Sequence, residues 1–466
     1  MQPVPDEALS GSYGGSRLTS DETAPDLLAF DGRGDLAHEL TSEAPDPEDA
    51  RILEAVADEA GWMTDVLQRL VRADTTLGNE EAGQAIVRAV MRELDLVPVD
   101  VRMDEEVLRA HPLASPFDWE TDGKANVVAT WAPADGASVN DGRSLILNGH
   151  IDVVSPEPLS QWGERDPFGG DHEDGWVFGR GAADMKCGLA AIFGAVRALR
   201  RLGLSPGAPI HLESVVEEEC SGNGTLQTLL AGYTADAAVV AEPFGAAITT
   251  SQVGVLWFKV RITGVPGHAA EGRNATNAIE KSLSVIQSLR ELESEMNVSP
   301  PPPFDLFTNP ITLNVGAIKG GDWASTVPGV CVTHYRIALY PGHAVADLRS
   351  RIEQVVADAT ADQPGAAEVT YGGFASEGYD IPDDHPLVTT LAGAFTRQAG
   401  APPALVSTTG TTDAGIFGNA GGIPAVCFGP YAEQAHGVGE RVYLPSVVQT
   451  AQVMGLLIRD WCGLSG

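Results

Sequence analysis

From about Val97 the chain alternates short apolar runs with stretches of helical period, and after Ser251 that order breaks, to resume only beyond Gly378. The runs at 97–102, 126–131, 144–147, 210–216 and 237–241 have the length and composition of strands. Around them, apolar residues recur at helical spacing over about 50–72, 79–94, 189–199 and from 224 onward. Strands alternating with helices predict an α/β fold, a mainly parallel sheet flanked by helices. The interruption has its own order. Residues 254–264 alternate as a strand, 274–296 are helical, 311–318 and 327–340 are strands, 344–359 are helical and 368–374 form a strand. This β-α-β-β-α-β order is the ferredoxin-like split unit. A complete unit of this kind is read as an α+β domain inserted over 254–378 into a first domain made of 51–253 and 379–466. Residues 1–50 hold twelve Asp and Glu against two Arg and read as an acidic flexible extension.

In open α/β sheets, ligands gather beyond the C-terminal ends of the strands. The residues just past each apolar run are therefore informative. His150 and Asp152 come after the run at 144–147, two residues apart, a spacing that puts both side chains on one side of an extended strand. Asp184 comes after a Gly-rich turn and precedes an apolar helix. Glu217, Glu218 and Glu219 succeed HLESVV, and Glu242 succeeds Ala238–Ala241. His436 sits in the Gly-rich loop EQAHGVGER, and His268 lies in VPGHAA within the insert. Each has an ordinary explanation alone: a strand-end histidine, a helix N-cap, a solvated charge run, a turn residue. Together they form a mixed nitrogen and oxygen ligand set suited to Zn²⁺ or a similar cation, with Co²⁺ or Mn²⁺ as alternatives. Several carboxylates also allow a bridging ligand and two metal ions.

Composition excludes some partners. With 64 acidic and 29 basic side chains, the net charge of −35 argues against nucleic acid and anionic membranes. The five cysteines include no C-x-x-C pair, so neither a disulfide framework nor a structural zinc knuckle is expected. No secretory signal and no membrane-length apolar run is visible. A cytoplasmic location is the expectation.

The segments GHIDVV, GRGAADMKCG, VVEEECSGNG, AEPFG, VPGHAA, GGDWASTVPG, TTDAGIFGNAGGIPAVCFGP and AHGVGERV occur in this order over about 52–460. They resemble the dinuclear zinc deacylases and peptidases that include acetylornithine deacetylase, succinyl-diaminopimelate desuccinylase, aminoacylase and the glutamate-releasing carboxypeptidases. The resemblance implies that His150, Asp184 and Glu242 hold one metal ion and Asp184, Glu219 and His436 the other. Asp152 resembles the carboxylate that orients His150, and Glu218 the general base. The triple Glu leaves this register open by one place, and base and ligand fall on Glu218 and Glu219 when Glu217 is matched to the family's Asp. Both can face one site only if the backbone bends there. His268 resembles a histidine that reaches the scissile carbonyl from a partner subunit, and Arg336 the arginine that grips a substrate carboxylate. Ser325 and Thr412 fall in the substrate-binding segments. Gly415 stands where many relatives carry an arginine, which weighs against a doubly anionic substrate.

The expected reaction is hydrolysis of an amide of an N-acylated amino acid or related small molecule, by a metal-activated water with Glu218 as base. A homodimer through the insert is implied by the resemblance. The alternatives are a dipeptidase or carboxypeptidase, an N-formyl-amide deformylase, or, more remotely, an inactive scaffold on the same fold.

Overall fold

The computed structural model describes residues 46–134, 142–363 and 366–466. The acidic extension lies outside the described residues as far as 45. Helix begins at Pro47, slightly before the expected start. Asp46 caps it by accepting from the Glu48 N–H at 2.9 Å, and Pro47 supplies the fixed φ of a first turn. The helix expected over about 50–72 is two helices, Pro47–Ala57 and Ala60–Val71. They part at Glu59, whose buried carboxylate is held by Arg197 and Arg201 of the helix Lys186–Arg201.

The body is a mixed sheet of nine strands among the described residues. Its order is Val99–Arg102, Ala125–Trp131, Ile210–Val215, Leu145–His150, Ala238–Val240, Ala425–Cys427, Ile248–Gln252 and Tyr379–Asp380, with Leu405–Thr408 also paired to Ile248–Gln252. The central pairs 210–215 with 145–150, 145–150 with 238–240, and 238–240 with 425–427 are parallel. The strand Leu145–His150 is buried along its whole length, as expected where helices cover both faces. Gly188 in the helix Lys186–Arg201 lets that helix start hard against the sheet, because a Cβ there would lie 2.1 Å from the Ala241 carbonyl oxygen. The same close approach draws the loop before the helix toward Glu242.

The strands Ile248–Gln252 and Leu405–Thr408 were not expected. ITTSQ is polar in composition yet buried throughout, and its Thr residues supply the β-branching that a strand favours.

The inserted sheet runs Leu313–Gly320, Val330–Leu339, Gly254–Thr263, Ala367–Ser376, all antiparallel. This is the ferredoxin-like order. The helices Ala278–Met296 and Val345–Ala359 bury Val285, Leu289, Leu348 and Ile352 against Phe258, Ile262 and Ile337 in a second core, separate from that of the body. Phe258 stacks on Tyr335 at 4.8 Å. The insert leaves and rejoins the body at one place, where Val255 pairs with Ser376. Among the described residues no helix is long and apolar enough to cross a membrane.

Candidate metal centre

The parallel strands 210–215, 145–150 and 238–240 are neighbours, so the residues beyond their C-terminal ends meet. His150 is fully buried at the end of the middle strand. Its Nε2 lies 3.0 Å from Asp184 Oδ1 and 3.8 Å from both Glu218 Oε2 and Glu242 Oε1. Its Nδ1 lies 2.9 Å from the Asp152 carbonyl oxygen. A ring that donates through Nδ1 presents Nε2 as the ligating atom.

Asp152 therefore meets His150 differently from the expectation. Its carboxylate is 3.7 Å from Nδ1, too far for a hydrogen bond, and the backbone carbonyl does the orienting. The carboxylate instead accepts from the backbone N–H groups of Glu218 at 3.2 Å and Glu219 at 3.0 Å. It pins the loop that carries both.

The register of the three glutamates is visible in the geometry. Glu217 has a φ of +63°, a left-handed bend just before Glu218 and Glu219. Its own carboxylate turns away from the centre and accepts from Trp119 Nε1 at 2.8 Å, Lys124 Nζ at 2.9 Å and Ser221 Oγ at 3.1 Å. Glu218 and Glu219 face the centre. His436, also at positive φ, brings Nε2 to 2.9 Å from Glu219 Oε2 and 3.3 Å from Asp184 Oδ2. Asp184 thus stands between the two imidazoles.

One residue went unnoticed in the sequence. Glu440 is fully buried, and its Oε1 accepts from the backbone N–H groups of Gly181, Ala183 and Asp184 at 2.9–3.1 Å. Its other oxygen pairs with Arg180, which also donates to the carbonyls of His436 and Gly437. The pair ties the Asp184 turn to the His436 loop. Only the spacing of ER after AHGVG could have suggested it.

The charge balance tests whether cations fit. Ligand-type atoms of His150, Asp184 and Glu219, and of His150, Glu218 and Glu242, lie within 4.8 Å of one another. Burial, with the neighbouring carboxylates, pushes Glu218 and Glu242 well above the usual carboxylate range. Hydrogen bonds to Asp184 and Glu219 raise His436 to about 11. Burial opposes charge on His150, yet Asp184 and the other acids hold it well above its ordinary value. Among the described residues no Lys or Arg pairs with Glu218, Glu219 or Glu242. Crowded carboxylates and two imidazoles, left to share protons, are the donor set that divalent cations would neutralise.

Beside this set opens a cavity of about 580 Å³ lined by Asp184, Glu218, Glu219, Glu242 and His436 together with residues of the insert. Arg336 lines it from the insert strand Val330–Leu339, and among the described residues no carboxylate pairs with it. Thr412 lines it too, though its hydroxyl already donates to Gln252 Oε1 at 2.6 Å and caps the helix Asp413–Gly421. Trp257 and Phe374, which the sequence did not single out, form an aromatic wall, ring centroids 5.6 Å apart. Gly415 is buried beside Gln252, whose Nε2 would sit 2.7 Å from a Cβ at 415. An arginine there would have to displace Gln252. His268 and Ser325 are exposed on the insert and are not among the residues lining this cavity. They lie close together, where the Ala269 N–H donates to the Ser325 carbonyl at 3.0 Å.

The pattern of peptidase family M20/M25/M40 matches residues 146–460. The chain is 30% identical over 364 residues to N-formyl-4-amino-5-aminomethyl-2-methylpyrimidine deformylase of Bacillus subtilis, covering 73% of this chain and 84% of that one. It is 30% identical over 347 residues to acetylornithine deacetylase of Proteus mirabilis, covering 74% and 84%. Human carnosine dipeptidase 1 shares the fold with a TM-score of 0.70 at 15% identity, over 89% of this chain and 99% of that one.

Proposed function

This chain belongs to peptidase family M20/M25/M40, and on that footing we propose that it hydrolyses the amide bond of an N-acylated amino acid or related small molecule with two divalent metal ions. The observation that carries the reading is the meeting of His150, Asp184, Glu218, Glu219, Glu242 and His436 at the mouth of a cavity that also holds Arg336. His150, Asp184 and Glu242 would hold one ion and Asp184, Glu219 and His436 the other, with Asp184 shared. The nitrogen and oxygen donor set favours zinc, with cobalt or manganese as alternatives. When bound, such ions polarise the scissile carbonyl and lower the pKa of water toward about 7.

The chain's own groups do the rest. Glu218 takes the proton of the attacking water and returns it to the leaving nitrogen. Asp152 keeps Glu218 and Glu219 in place through their backbone N–H groups. Arg336 grips a substrate carboxylate through its guanidinium fork, and Thr412 borders the same space. A single unpaired guanidinium and Gly415 support a substrate with one negative charge rather than two. An N-formyl-amide deformylase is the second reading, supported by the similarity to the pyrimidine deformylase; dipeptide hydrolysis uses the same chemistry.

The working form is proposed to be a homodimer joined through the insert. Among the described residues the outer strand Leu313–Gly320 is paired on one edge alone, and Ile318 and Trp323 nearby are 47% and 73% exposed. His268 and Ser325 would then serve the partner's cavity. Five buried, unpaired cysteines support a reducing compartment such as the cytoplasm. An inert scaffold would need a missing ligand or base, and each position is filled. The test is a panel of N-acetyl, N-formyl and dipeptide amides against chelated protein and protein reloaded with Zn²⁺ or Co²⁺. Turnover should vanish on chelation and return on reloading. Reloaded protein that binds metal but cleaves none of the amides would sink the reading.

A further inference from the structure

A second cavity of about 770 Å³ adjoins the metal centre and shares Val154, Glu219 and Trp257 with the first. Its far wall is apolar. Leu77 and Leu159 line it while 49% and 51% exposed, and the half-buried Phe168 lines it beside them. Leucines left this open on a soluble surface mark a contact surface when they share a concave wall. The walls are built rather than loose. Thr76 bridges to Val153, whose N–H donates to the Thr75 carbonyl at 3.1 Å. Trp162 Nε1 donates to the Pro156 carbonyl at 2.8 Å.

Trp257 is the partition. Its ring lies over Gly373, where a Cβ would come within 2.4 Å of Cε3, and edge-on to Phe374. Its Nε1–H is buried without a hydrogen-bond partner among the described residues. A buried indole donor normally finds an acceptor; this one is turned into the protein, and the partition offers the groove a flat apolar face. The charges lining the outer groove are all acidic: Asp74, Asp152, Glu157, Asp166 and, at the shared wall, Glu219. The inner cavity instead offers Arg336.

We propose that this outer groove is a second substrate subsite, which takes a flat apolar group without negative charge from one half of the amide while Arg336 holds a carboxylate on the other half. The inference rests on the amide-hydrolase reading and narrows it to substrates with one anionic and one apolar end, divided by Trp257.

Two substrate pairs test it with metal-loaded protein: phenylacetylglycine against acetylglycine, and N-benzylsuccinamate against N-methylsuccinamate. One pair should favour the phenyl compound by about tenfold or more in kcat/KM, as burial of several methylene equivalents requires. In the double variant Leu77→Asp, Leu159→Asp that ratio should fall below about twofold, because the new carboxylates hydrate the groove and resist being covered by an apolar group. Succinylglycine, with an anion in place of the phenyl group, should not share the preference. Calorimetry of the same ligands on metal-free protein reads the preference without turnover. Hydrolysis with no phenyl preference, or a preference that survives the double variant, overturns the subsite while amide hydrolysis stands. A phenyl preference in binding that the variant abolishes, with none of the amides cleaved, upholds the subsite and overturns the hydrolase reading. Absence of any binding preference overturns the subsite.

Discussion

Lys124 Nζ stands 2.9 Å from Glu217 Oε1, and both residues are buried. This contact leaves the other two of three consecutive glutamates to face the proposed cation site. A carboxylate with a lysine, an indole N–H and a hydroxyl around it has no need of a metal. Lys124 also reaches Glu80 Oε1 at 3.0 Å, so one ammonium neutralises two carboxylates.

Replacing Lys124 by Met should therefore strip two buried acids of their counter-charge. Breaking a buried pair in this way costs about 3–5 kcal/mol. Urea denaturation of Lys124→Met against wild type should show a loss of that order; a loss below about 1 kcal/mol would mean the pair behaves as a surface one.

Glu218→Gln should keep the metal and lose the chemistry. General acid–base groups contribute about 10²–10⁴-fold, and turnover should fall by that range. Metal content by mass spectrometry should match wild type. A variant with near-normal turnover removes Glu218 from the role of base.

Glu440→Gln should loosen the turn that carries Asp184 and the loop that carries His436. Groups that brace metal ligands typically account for about 10–100-fold in affinity. Competition with a chelator should show a weakening of that size, with activity recovered at high metal concentration. Unchanged affinity would make Glu440 a purely structural residue.

Stability should depend on pH through Glu213. Burial pushes its carboxyl up to about 8, although Asn148 and Thr228 donate to it. A carboxyl whose folded value is raised holds its proton more tightly in the folded chain. Its contribution is complete below the unfolded value of about 4.3 and fades as pH rises through about 8. Glu213→Gln should remove this slope, so that the variant gains on wild type between these limits. Parallel melting curves for the two proteins across that window would refute it.

His268→Ala and Glu218→Gln should each be inactive, yet their mixture after subunit exchange should regain turnover that neither parent has. In the mixed dimer, one site has an intact Glu218 and receives an intact His268 of the partner subunit. Failure to recover activity, with exchange verified by native mass spectrometry, would place His268 outside catalysis.

Much of the site is legible in the chain because it depends on backbone order. His150 and Glu242 end apolar runs, and the parallel sheet then brings them together. The insert shows itself by a change of period. The hidden part depends on contacts between distant residues. The run of three glutamates calls for a bend, but the pairing of Glu217 with Lys124 leaves no local signature. The sequence offers Asp152 as a carboxylate partner of His150, whereas its carbonyl takes that place and frees the carboxylate for the loop behind. Glu440 looks like one more charge in a loop. Trp257 alternates correctly for a strand, and only the fold reveals which chamber its indole divides. The strand Ile248–Gln252 is concealed by Thr and Ser side chains that are buried regardless.

The pairing of Val255 with Ser376 means that the whole insert hangs from the body by two adjacent strands. Such a junction makes the piece above it exchangeable. Arg336, Trp257 and Phe374 all arrive through that doorway, whereas every proposed cation ligand lives below it. Lineages could therefore graft a new upper story, and with it a new diet, onto an unaltered hydrolytic floor.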